Sequence, residues 1–132
     1  MIDFDLPDEL ALLVATTRQF AGDHLLPALR SAESARAVDP AVHAAYEAIG
    51  LGGLELSESQ GGAGLGCLAR CLVNEELAAA DAGAAVALDA LGPALYAVAE
   101  LGGDAAVTDL REICAAGGAR RAVLLCEPTD RD

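Results

Sequence analysis

Seven of the 14 glycines in this 132-residue chain fall between Gly50 and Gly66: Gly50, Gly52, Gly53, Gly61, Gly62, Gly64 and Gly66. Glycine loses the most conformational freedom on ordering, and it reaches backbone angles closed to other residues. A segment this dense in glycine cannot be the interior of a helix or a strand, so it must be a connection. On both sides of it the apolar residues recur at helical spacing.

Before the loop, Leu10, Leu13, Val14, Thr17, Ala21 and His24 form a stripe widened by Phe20 and Leu25, which predicts a helix over Phe4 to Ser31. Pro27 should kink or end it. Asp39-Pro40 reads as an N-cap with proline at the first helical position, opening a second helix to Ile49 that Gly50 stops. After the loop, Ala69, Leu72, Val73, Leu77 and Ala80 predict a third helix over Cys67 to Ala80. Asp81-Ala82-Gly83 breaks it, and a fourth runs from Ala84 to Leu101, bent at Gly92-Pro93. Asp104 caps a fifth over Ala105 to Ala116, and Ala122 to Cys126 is the one plausible strand.

Composition agrees. The chain is 54% hydrophobic but 3% aromatic and has no Trp, so its core is built from small and medium aliphatics suited to close helix packing. The expected fold is all-α: a bundle of about five helices, a Gly-rich loop after the second and a short C-terminal strand. Leu88, Leu91, Leu95, Val98 and Leu110 on the last two helices are expected to leave an apolar face exposed, because five helices cannot cover every such face.

All eight bases are Arg, against 21 acids, for a net charge of −13. A chain without Lys offers no P-loop lysine and no Schiff-base amine, and its acidity excludes a nucleic-acid face. Asp3, Asp5 and Asp8 oppose the charge of a secretory leader, and Asp89, Gly92-Pro93 and Glu100 interrupt the longest apolar run, so no membrane span is expected. A cytoplasmic, reducing compartment with free thiols is the expectation.

Gly64-Leu65-Gly66-Cys67-Leu68-Ala69 matches a dinucleotide-type glycine pattern. That turn needs a strand before it, and Ser57 to Gly62 reads as loop, so a tight connection between helices is favoured. Cys67 and Cys71 lie one helical turn apart, but structural zinc needs four ligands, and small apolar core thiols are the better reading. No metal site is expected. Glu75 and Glu76 diverge by about 100° on a helix and cannot act as a carboxylate pair.

Taken in order, Gly50-Leu51-Gly52-Gly53-Leu54, Glu58, Gly61-Gly62-Ala63-Gly64-Leu65-Gly66, Glu75-Glu76-Leu77-Ala78 and Asp81-Ala82-Gly83 resemble the N-terminal helical domain of acyl-CoA dehydrogenases. Phe4, Leu6, Glu9, Phe20-Ala21 and Pro27 are similar to that family's first helix, and Ser57 stands where the family usually has Pro. The resemblance implies a helical domain over residues 1–121 and, at 122–132, the start of a middle β-domain. Leu124-Leu125-Cys126-Glu127-Pro128 resembles the family's Thr-Glu-Pro strand and turn, with Cys126 at the Thr position. It makes Val123, Leu125 and Cys126 flavin-side candidates; a frayed strand touching nothing is the alternative.

The resemblance also sets the fourth helix beside the acyl-chain pocket, with Ala85, Val86 and Asp89 on the pocket side; alanines there suit close helix packing equally well. In the family the base is a carboxylate of a C-terminal helical domain, and FAD sits between that domain and the β-domain. Neither part lies in these 132 residues, so no catalytic residue is assigned and the chain is expected to be inactive alone. FAD binding and acyl-CoA turnover would require a partner chain that supplies the missing domains, or a homo-oligomer contact. The second expectation is a helical interaction module that kept the fold and lost the reaction.

Overall fold

A computed structural model describes residues 5–89 and 92–115. They are helical throughout except for turns and one long loop, and no strand occurs among the described residues. The predicted strand, Ala122 to Cys126, lies outside them. The chain divides into two compact units, one up to Ala90 and one from Leu91.

In the first unit α1 spans Asp8–Phe20, with Asp8 and Glu9 at its positive end. It does not continue to Ser31 as a single helix. A π turn follows at Ala21–Leu25, where the Leu26 amide donates back five residues to the Ala21 carbonyl at 3.1 Å. Pro27 explains it: proline has no amide to donate and its ring crowds the carbonyl four residues back, so the last turn widens. The wider turn shifts the apolar stripe by one residue. Leu25 is buried where the periodicity placed His24, and His24 lies exposed with its ring 4.8 Å from Phe20. A short helix, α2, occupies Leu29–Ala35.

Helix α3 is Pro40–Ala48, capped by the Asp39 carboxylate, which accepts from the Ala41 amide at 2.8 Å. Residues 49–65 form the loop, with one 3-10 turn at Glu58–Gln60. Helix α4, Gly66–Ala80, is the central element: Ala69, Val73 and Leu77 are fully buried, and α1 and α5 both pack on it. Helix α5, Ala82–Leu88, opens on Asp81, whose carboxylate accepts from the Ala84 amide at 3.0 Å. The core joins Phe20, Leu25, Val42, Tyr46, Leu51, Leu54, the buried face of α4, and Ala84, Ala85 and Leu88.

In the second unit α6 runs over Gly92–Ala115 with a kink at Gly103, whose φ of 68° only glycine adopts readily. Gly92-Pro93 therefore starts this helix rather than bending the previous one, which fits a proline whose missing amide is harmless in a first turn. The expected exposed face is also corrected. Leu88 and Leu95 are buried, Val98 and Leu110 are half-buried and Leu91 lies outside the described residues, whereas Leu12, Leu26, Leu68, Val86, Leu101 and Ile113 are exposed.

Candidate functional site

The polar centre of the first unit is a cation on the apolar face of α4. Arg70 is 4% exposed, and its guanidinium is almost fully engaged. Its Nε and Nη2 donate to Glu55 Oε2 at 3.1 and 2.8 Å, Nη2 also donates to the Leu51 carbonyl at 2.6 Å, and Nη1 donates to the Tyr46 hydroxyl at 2.7 Å. The Tyr46 hydroxyl donates in turn to the Leu51 carbonyl at 3.1 Å. Helix α3, the loop and α4 thus close on one charged pair.

Burial on its own would lower the Arg70 pKa, but the Glu55 hydrogen bond and the surrounding negative potential outweigh it and hold the group above its ordinary value. Burial raises Tyr46, against the opposing pull of Arg70, so the phenol stays protonated and serves as acceptor and donor at once. A guanidinium so occupied cannot bind a substrate anion. Its work is to hold the loop.

The loop around it is folded tightly on itself. The amides of Gly62, Gly64 and Leu65 donate to the carbonyls of Ser57, Leu56 and Leu54 at 3.0, 2.7 and 3.2 Å. A Cβ at Gly62 would meet the Leu56 carbonyl oxygen, so this position has no room for a side chain. The residues before Gly64-Leu65-Gly66 form a 3-10 turn and bends rather than a strand, and this removes the context a dinucleotide turn requires.

A second polar contact ties the middle of α4 to the C-terminal end of α5. Asn74 Nδ2 donates to Asp89 Oδ2 at 3.1 Å, while Asn74 Oδ1 is buried without a partner. Of the three residues expected on the acyl-pocket side, Asp89 is half-buried at the end of α5, Ala85 is part of the core, and Val86 is 78% exposed. Adjacent positions on a helix diverge by about 100°, so Ala85 and Val86 do not share one wall. Two open grooves, about 580 and 410 Å³, border α2, and the lining of neither contains any of the three. Ala84 and Ala87 of α5 line the larger one.

Val123, Leu125 and Cys126 lie outside the described residues. The described residues spend the buried polar groups around Arg70 on one another. Among them there is also no cluster of three or more metal-ligating groups and no helix long and apolar enough to cross a membrane. Cys67 and Cys71 are corrected from core thiols to exposed ones, on the face of α4 opposite Ala69, Val73 and Leu77.

Periodicity missed Arg70, Glu55 and Tyr46. The available signal was spacing: Arg70, Val73 and Leu77 follow the i, i+3, i+7 rule, so a cation sat in a stripe otherwise apolar and required a buried partner.

No curated protein and no solved structure matches this chain at a significant level. Its sequence does match the family described as "Acyl-CoA dehydrogenase, N-terminal domain" over residues 7–109. This span runs from α1 through the loop and α4 and into α6. With its ordered motifs and all-α architecture, the chain belongs to the acyl-CoA dehydrogenase N-terminal domain family.

Proposed function

We propose that these residues are the N-terminal helical part, or a small subunit, of an FAD-dependent enzyme that desaturates an acyl-CoA thioester between its α and β carbons. The family match over residues 7–109 carries this reading. The helical part extends to residue 121, and residues 122–132 begin a middle β-domain. Of the three α5 positions, Val86 lines one side of the acyl pocket as an exposed apolar side chain still to be covered, while Ala85 packs in the core behind it and Asp89 pairs with Asn74 at the end of the helix. When bound through Val123, Leu125 and Cys126 and through the other domains, FAD supplies the hydride acceptor. Removing the α-proton while hydride leaves the β carbon requires base and acceptor within bonding reach of one substrate, so these 132 residues do not turn over alone. The free thiols Cys67 and Cys71 support a reducing, cytoplasmic setting.

The purified 132-residue chain should be colourless and inactive. Mixed with a chain carrying the β-domain and the C-terminal helical domain of an acyl-CoA dehydrogenase, it should co-purify and restore acyl-CoA-dependent dye reduction. No complex and no turnover with short, medium or long acyl-CoAs would sink the reading. The exposed Leu12, Leu68 and Val86 favour a second one, a helical interaction module. It predicts a complex with no turnover under any substrate.

A further inference from the structure

We propose that Cys67 and Cys71 form a solvent-facing dithiol site on α4 that binds one low-coordinate thiophilic d10 ion of the Cu(I) class. Both thiols are free and exposed, and they sit on one face of α4 one turn apart. Helix geometry decides what such a pair can hold. Residues at i and i+4 keep their Cβ atoms about 5–6 Å apart, whereas a disulfide needs them at about 3.5–4.5 Å. Direct oxidation would therefore have to distort the turn from Cys67 to Cys71, and that turn carries Arg70, which is locked to Glu55, Tyr46 and Leu51.

An ion between the two sulfurs has no such conflict. Each sulfur turns about its own χ1 from a Cβ that the helix fixes, so two metal–sulfur bonds of about 2.3 Å each can close on one ion without moving the backbone. Among the described residues no group of three or more ligating side chains could hold an ion together, although the Glu75 carboxylate follows Cys71 by one turn on α4, and the lack of a full ligand set disfavours tetrahedral zinc. Soft thiolates with few neighbours select Cu(I). On binding, each thiol releases its proton to solvent as its sulfur bonds the ion, and the copper stays in the +1 state.

The test is an anaerobic titration of the full chain, with Cys114 and Cys126 replaced by Ser, using Cu(I) against a chromophoric Cu(I) chelator. One ion per chain is expected. The loss of either thiol, in Cys67→Ser or Cys71→Ser, should weaken binding at least a hundredfold with helicity unchanged. Exposure to peroxide should form an intrachain disulfide only with loss of helical signal. Equal binding by the single variants, no binding at one equivalent, or a disulfide formed at full helicity would each overturn the proposal.

Discussion

At the scale of single residues, the Arg70–Glu55 pair decides how firmly the loop is held. Burying two charges costs several kcal/mol each, and their attraction repays that only when the remaining donors are also satisfied, as the Leu51 carbonyl and the Tyr46 hydroxyl do here. Arg70→Ala leaves the Glu55 carboxylate buried and alone, and should cost about 3–5 kcal/mol in urea unfolding. Tyr46→Phe removes only a hydroxyl and should cost about 1–3 kcal/mol. If both variants unfold like the parent, the network contributes nothing to stability. The exposed pair Arg18–Glu76 is different: Arg18 Nη2 lies 2.7 Å from Glu76 Oε1, but the Arg18 side chain is largely in water. The Arg18 hydrogen bond lowers the Glu76 pKa from its ordinary value of 4.5. A group lowered on folding adds stability above its unfolded pKa and loses it as pH falls through the folded one. A double-mutant cycle of Arg18→Ala and Glu76→Gln should therefore show a small coupling at pH 7 that fades below about pH 4.5. A coupling that persists undiminished at pH 2 would contradict the pairing.

At the scale of elements, the π turn and the loop show how one residue type resets a pattern. Pro27 widens the end of α1 and rotates the apolar stripe onto Leu25. Gly62 lets the loop close against its own carbonyls. Gly62→Ala should force the 53–62 turn apart and cost about 2–4 kcal/mol, in the range of overpacking and lost buried hydrogen bonds. The thermal midpoint, read by circular dichroism, checks it: an unchanged midpoint would mean that the loop has slack the geometry does not show. The loop was legible from glycine density alone. Its closure was not, because which carbonyl meets which amide depends on a chain reversal that local propensity does not encode.

For the whole molecule, charge and apolar surface work against each other. A net charge of −13 opposes self-association, while the exposed Leu12, Leu68, Val86 and Leu101 favour it. Salt screens the first and spares the second, since the Debye length falls from about 10 Å at 0.1 M to about 3 Å at 1 M. Sedimentation of the 132-residue chain should therefore show association that rises with salt. A fall with salt would assign it to charge pairing instead, and a monomer throughout would leave those side chains without a cover.

Several features were decided by the chain alone: the all-α class, the N-cap at Asp39, the loop, and the ordered motifs of the acyl-CoA dehydrogenase N-terminal domain. Each rests on local chemistry, in helix propensity, side-chain capping and glycine's freedom, or on residues read in order. The tertiary structure decided what those elements do to one another. It turned Ala85 into the core and Val86 out of it, brought Asn74 to Asp89, set Cys67 and Cys71 on the solvent face, and placed Glu55 and Tyr46 around Arg70. The reason is physical. A buried charge is tolerated only where distant parts of the chain supply its partners, and periodicity identifies the buried face without identifying what packs against it.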